Sequence, residues 1–128
     1  MTLIHQRHYS REEANAAIEG LRPLLQRLRD VKDLLTDAEA HDVLADAAPG
    51  NGGGEPGVQV GESFLEVRRL ISAVQEAGIV IRDIDRGLID FPALIDGREV
   101  YLCWELDDEG VDYWHELEAG YGGRQPLD

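Results

Sequence analysis

The sequence predicts an α+β fold in which a long antiparallel helical hairpin packs with a small antiparallel β-sheet. Three observations carry that prediction. Leu21, Leu24, Leu28, Val31, Leu35 and Ala38 step by alternating threes and fours, the spacing of a helical seam. Phe64, Val67, Ile71 and Val74 repeat that spacing in a second segment. After Gly78 the period falls to two, with Val100, Leu102, Trp104 and Leu106 alternating with Glu99, Tyr101, Cys103 and Glu105.

The first helix is expected over residues 10–48. Ser10 and Glu13 have capping-box spacing, and acidic residues in the first turn suit the helix dipole. Gly20 and Pro23 interrupt it, because an interior proline removes one hydrogen bond and crowds the preceding turn at a cost of about 3 kcal/mol. A kink or a break is therefore expected near residues 20–23. Residues 49–60 hold Pro49-Gly-Asn-Gly-Gly-Gly-Glu-Pro-Gly and read as a flexible loop. No strand precedes that loop and no Lys-Ser/Thr follows it, so it is not a phosphate-binding loop.

A second helix is expected over residues 62–77, closed by Gly78, and a β-rich part over residues 79–128. Asp96-Gly97 marks the turn of a hairpin running from Leu94 to Leu106, and Val111–His115 reads as a returning strand. Asp85-Arg86-Gly87 and Asp90-Phe91-Pro92 read as turns.

At 128 residues the chain fits one domain. It has no membrane-length apolar run, no signal-peptide pattern and a single cysteine, which together predict a cytoplasmic protein. The net charge is −14, and residues 79–128, with four basic and thirteen acidic groups, carry −9 of it. Such a field repels nucleic acid and anionic membranes and favours cations or a basic protein partner.

A helix over residues 11–48 would be about 57 Å long, against about 24 Å for the second and about 36 Å for a compact chain of this size. The overhanging leucine seam predicts a homodimer, with hairpins paired into a four-helix arrangement.

Several blocks resemble a known family: Tyr9-Ser-Arg-Glu-Glu-Ala-Asn15, Leu21-Arg-Pro-Leu-Leu25, Asn51-Gly-Gly-Gly54, Asp83-Ile-Asp-Arg-Gly-Leu-Ile-Asp-Phe-Pro-Ala93, Tyr101-Leu-Cys-Trp104 and Trp114-His-Glu-Leu-Glu-Ala-Gly-Tyr-Gly-Gly-Arg-Gln-Pro126. The chain is similar to the prokaryotic domain-of-unknown-function family 2203 (DUF2203) along nearly its whole length. The resemblance implies a single cytoplasmic domain and leaves the activity open.

The site expectation falls on the acidic C-terminal part. Asp85, Asp90, His115 and Glu118 are the candidate metal ligands, since imidazole with carboxylates suits zinc, iron or manganese. His115 and Glu118 share a face if residues 114–119 form a helical turn. His5, His8, Glu12 and Glu13 are weaker candidates, with Glu13 already engaged in capping. Cys103 reads as a buried bystander, because surrounding carboxylates would raise its pKa. Arg86 and Arg124 are further binding candidates, with an internal aspartate as the favoured partner of either guanidinium. The rival reading is a non-enzymatic oligomeric interaction module that docks through its helical hairpin. A hydrolase using metal-bound water follows only from the metal reading.

Overall fold

In the computed structural model, residues 3–35 and 58–128 are described. Helix α1 spans Arg11–Lys32 and α2 spans Val58–Glu76. Five strands follow: β1 (Val80–Asp83), β2 (Leu88–Ile95), β3 (Arg98–Trp104), β4 (Tyr113–Glu116) and β5 (Gln125–Pro126). They form one sheet in chain order, every neighbouring pair antiparallel.

The α1 start forms as its sequence dictates. The Glu13 amide donates to Ser10 Oγ at 3.0 Å, and the Ser10 amide donates to Glu13 Oε1 at 2.9 Å. Pro23 lies inside one continuous helix rather than at a break. Glu19 and Pro23 are both exposed, so water can take the carbonyl that proline leaves unpaired.

The end differs from expectation. The helix stops at Lys32, and the amides of Leu34 and Leu35 bond three residues back, to Val31 and Lys32, in a tightened last turn. Leu35 is still buried at 8%, so the seam spacing persists through the turn and conceals the terminus. Residues 36–48 of the expected helix, and most of the expected loop over residues 49–60, lie outside the described residues. Residues 58–61 are helical, so α2 begins four residues before the expected Glu62. At 22 and 19 residues, α1 and α2 would be about 33 and 28 Å long. The expected overhang of about 30 Å is therefore not found among the described residues. Among the described residues the two helices pack together but do not form the expected long hairpin, and the length argument for a dimer, which needs α1 to continue past Lys32, loses its premise.

Core packing follows the alternation. Ile89, Phe91 and Ala93 on β2 pair with Trp104, Leu102 and Val100 on β3. All six are buried in one cluster with Leu21, Leu25, Leu28 and Val31 of α1 and Val67, Ile71 and Val74 of α2. The opposite sheet face therefore carries Asp90, Pro92, Glu99, Tyr101 and Cys103. His115 joins that face as the cross-strand partner of Tyr101.

The Asp96-Gly97 turn forms, with φ of 52° and 79° at its two residues. Asp90-Phe91-Pro92, expected as a turn, is instead the middle of β2. Proline is tolerated there because β1 has already ended, its ladder stopping at Val80 opposite Asp90. The Pro92 carbonyl on that side accepts from the Tyr9 amide at 2.7 Å, and the missing N–H breaks no ladder bond.

Gly87 closes the β1–β2 turn at φ 61°, and a Cβ there would lie 2.3 Å from Leu106 Cγ. Gly87→Ala should cost about 2–4 kcal/mol, combining backbone strain with overpacking. Urea denaturation checks this, and a loss below about 1 kcal/mol would contradict it.

Candidate functional site

The face of the sheet away from the helices carries a buried polar cluster. Asp90 on β2, Cys103 on β3 and His115 on β4 are each 1% exposed. One ligand atom from each, a carboxylate oxygen, Sγ and an imidazole nitrogen, lies within 4.8 Å of the other two. Hairpin register makes Asp90 and Cys103 direct cross-strand partners, and His115 stands one strand further on.

The hydrogen bonds fix the imidazole. His115 Nδ1 lies 2.7 Å from the Glu116 carbonyl oxygen, which can only accept, so Nδ1 carries a proton. Nε2 then faces Asp90 Oδ1 at 3.0 Å. A proton must lie between that nitrogen and that oxygen unless a cation replaces it. The other carboxylate oxygen, Oδ2, accepts from Arg82 Nε at 2.8 Å, which orients Asp90.

Burial pushes the Cys103 thiol up to about 11, with the Asp90 charge adding to the shift and Arg124 partly offsetting it. Arg124 donates to Asp108 Oδ2 at 3.1 Å and stacks on the rings of Tyr113 and Tyr121.

A second polar group flanks the first. The Tyr101 ring is tilted against His115 at 5.5 Å, and its hydroxyl lies 2.7 Å from His5 Nε2. Glu99 takes the amides of Ile4 and His5 at 2.8 and 3.0 Å and meets His8 Nε2 at 2.7 Å. Burial would raise the Glu99 pKa, but the hydrogen bonds from His8, Ile4 and His5, with the charge of His5, outweigh it and bring it to about 2. A depressed carboxylate stabilises the fold above its unfolded value of 4.5, and that contribution is lost as pH falls toward about 2. Acid titration monitored by circular dichroism should therefore show wild type losing stability over that window. Glu99→Gln should start less stable at pH 7 and lose less across the same range. Parallel losses in both proteins would contradict the clamp.

The expected site residues divide. Asp90 and His115 meet. Asp85 does not join them, its side chain being 63% exposed and paired with Lys32 Nζ at 2.9 Å. Glu118 is exposed in the turn after β4, and His115 lies in a strand rather than a helical turn, so three-residue spacing puts the two on no common face. Glu13 is held by the cap. Arg86 bonds Glu105 at 2.7 Å and stacks on Tyr121. Cys103, read from sequence as a bystander, completes the cluster. Its signal was the parity it shares with Tyr101, opposite the apolar row.

Fold and cluster together define a small α+β protein with a mixed oxygen, sulfur and nitrogen donor set on the free face of an antiparallel meander. The chain belongs to the family described as "Uncharacterized conserved protein (DUF2203)", whose match spans residues 7–127. No curated protein and no solved structure matches it. Among the described residues no helix is long and apolar enough to cross a membrane.

Proposed function

We propose that this protein binds one divalent transition metal, zinc by preference, through Asp90 Oδ1, Cys103 Sγ and His115 Nε2. The observation that carries the reading is the convergence of three different donor atoms within 4.8 Å in a buried place. In a tetrahedral zinc site such atoms stand about 3.4–3.6 Å apart, so small side-chain shifts suffice. His115 already has the arrangement of a ligating imidazole, with Nδ1–H held by a backbone carbonyl and Nε2 turned inward. Arg82 supports Asp90 from outside as a ligating carboxylate is usually supported. Thiolate softness favours zinc or iron over manganese, which narrows the expectation from sequence. Three protein ligands would leave one position open, the arrangement of a reactive rather than a purely structural centre.

Elemental analysis of untagged protein tests this directly. One equivalent of zinc or iron is expected, and below about a tenth of an equivalent in a single His115→Ala variant that remains folded, since a lost ligand costs affinity steeply. Wild-type protein that neither retains nor takes up metal would refute the proposal.

A second reading, the interaction module, rests on Leu34 and Leu65, exposed at 66% and 56% on the helical layer. Sedimentation separates it: a monomer at micromolar concentration removes the homodimer.

A further inference from the structure

We infer that the cleft at the hairpin end of the sheet docks another protein, taking an apolar segment flanked by lysine or arginine. The surface lies outside the Asp90–Cys103–His115 cluster and does not depend on the metal reading.

Exposed apolar side chains gather at this end. Leu3, Ile4 and Leu117 line a cleft of about 410 Å³ together with the Asp96-Gly97 turn, Arg98 and Glu99. That volume falls in the range of binding pockets, about 300–1,000 Å³. Leu94 is the cross-strand partner of Glu99, so its side chain stands beside the same carboxylate. Among the described residues six large hydrophobic side chains are exposed, and Leu3, Ile4 and Leu94 are three of them. Leu34 and Leu65 belong to the helical layer, and Tyr121 is covered in part by Arg86 and Arg124. No other part of the described surface brings three together.

The backbone that presents these side chains is pinned. The Ile4 and His5 amides both donate to the buried Glu99 carboxylate, and His8 meets it as well. The Ile4 side chain is nevertheless 72% exposed, where it contributes little burial to the fold. A partner therefore meets an apolar side chain whose main chain is already ordered, and association loses less entropy.

Charge selects the occupant. Asp96 lines the cleft, and exposed Glu118 directly follows the lining residue Leu117. Neither enters an ion pair among the described residues. Arg98, the one cation in the lining, is taken by Glu116. An apolar floor thus carries an acidic rim, which repels an anionic membrane surface. A second copy of the chain would bring the same rim, and like charges facing across an interface are costly. A basic segment suits both parts, its apolar side chain on Leu3 and Ile4 and its cation at Asp96 or Glu118.

Fluorescence anisotropy tests this with three labelled peptides of equal length, built from leucine and lysine, leucine and glutamate, or glycine and lysine. Saturable binding of the leucine–lysine peptide is expected. The other two, each lacking one component, should bind at least about tenfold more weakly. Ile4→Ser should weaken the leucine–lysine peptide about 10–100-fold, the equivalent of one large aliphatic side chain left unburied. Ile4 is exposed, so the variant should fold as wild type does. Leu3→Ser should act in the same direction, and Leu65→Ser on α2 should match wild type. Asp96→Asn, at a positive φ that asparagine accepts, should flatten the salt dependence. No saturable binding, equal binding of the glycine–lysine or leucine–glutamate peptide, or unchanged affinity in Ile4→Ser overturns the inference. Sedimentation covers self-association: a wild-type dimer that Ile4→Ser splits makes the cleft a contact between copies and overturns the assignment to another protein.

Discussion

Asp90→Ala lowers the unfolding free energy of the metal-free protein by about 3–5 kcal/mol, the cost of breaking a buried charge pair by removing one partner. Asp90 accepts from Arg82 and shares a proton with His115, and both contacts vanish together. His115, 1% exposed, is left with no acceptor for Nε2–H if it stays charged, and with an unpaired lone pair if it does not. The asymmetry of buried ion pairs gives a sharper form of the expectation. A variant that replaces Asp90 and His115 together by apolar residues of similar volume should recover much of the loss, because no buried charge is then left alone. Urea denaturation at matched m-values measures both variants. A single-variant loss under about 1 kcal/mol, or a double variant no better than the single, would show that the cluster is not a coupled network.

If Asp90, Cys103 and His115 hold zinc as proposed, zinc in excess should stabilise the wild-type protein by about 4 kcal/mol when its free concentration is a thousand times Kd, and should leave Cys103→Ala almost unmoved. The direction of the pH dependence follows from the thiol. With Cys103 pushed up to about 11, the sulfur is protonated throughout the neutral range and must release that proton to bind metal. Affinity should therefore rise about tenfold for each pH unit on account of this residue alone. Isothermal calorimetry in buffers of different ionisation enthalpy measures the protons released. Zinc binding with no proton release, or equal stabilisation of Cys103→Ala, would remove Cys103 from the ligand set.

The sequence carried more of this arrangement than its motifs suggested. A two-residue Asp96-Gly97 turn sets a register in which paired numbers on β2 and β3 add to 193, so Asp90 must oppose Cys103. That pairing was available from the turn alone. It was obscured by reading Asp90-Phe91-Pro92 as a turn, since proline in a strand is ordinarily excluded. The exception depends on where β1 ends, which is a tertiary fact. The place of His115 was not available in the same way. It depends on the path of residues 105–112 between β3 and β4, which Arg22 fixes from α1 through bonds to the carbonyls of Leu106, Asp108 and Glu109. Residue spacing near His115 pointed to Glu118, but strand geometry, not helical geometry, governs that segment. The helical layer shows the same division. Its faces follow from periodicity, whereas the α1 terminus at Lys32 does not, because Leu35 remains buried past it.

The bond from the Tyr9 amide to the Pro92 carbonyl has a consequence for the behaviour of the molecule in a crowded solution. β2 extends beyond its shorter neighbour β1, and the uncovered stretch of an eight-residue apolar strand is a template on which a stray chain can add. Here the template is blunted twice, by a residue with no N–H to offer and by an acceptor already occupied. The protruding end of the strand thus carries its own protection against edge-to-edge aggregation.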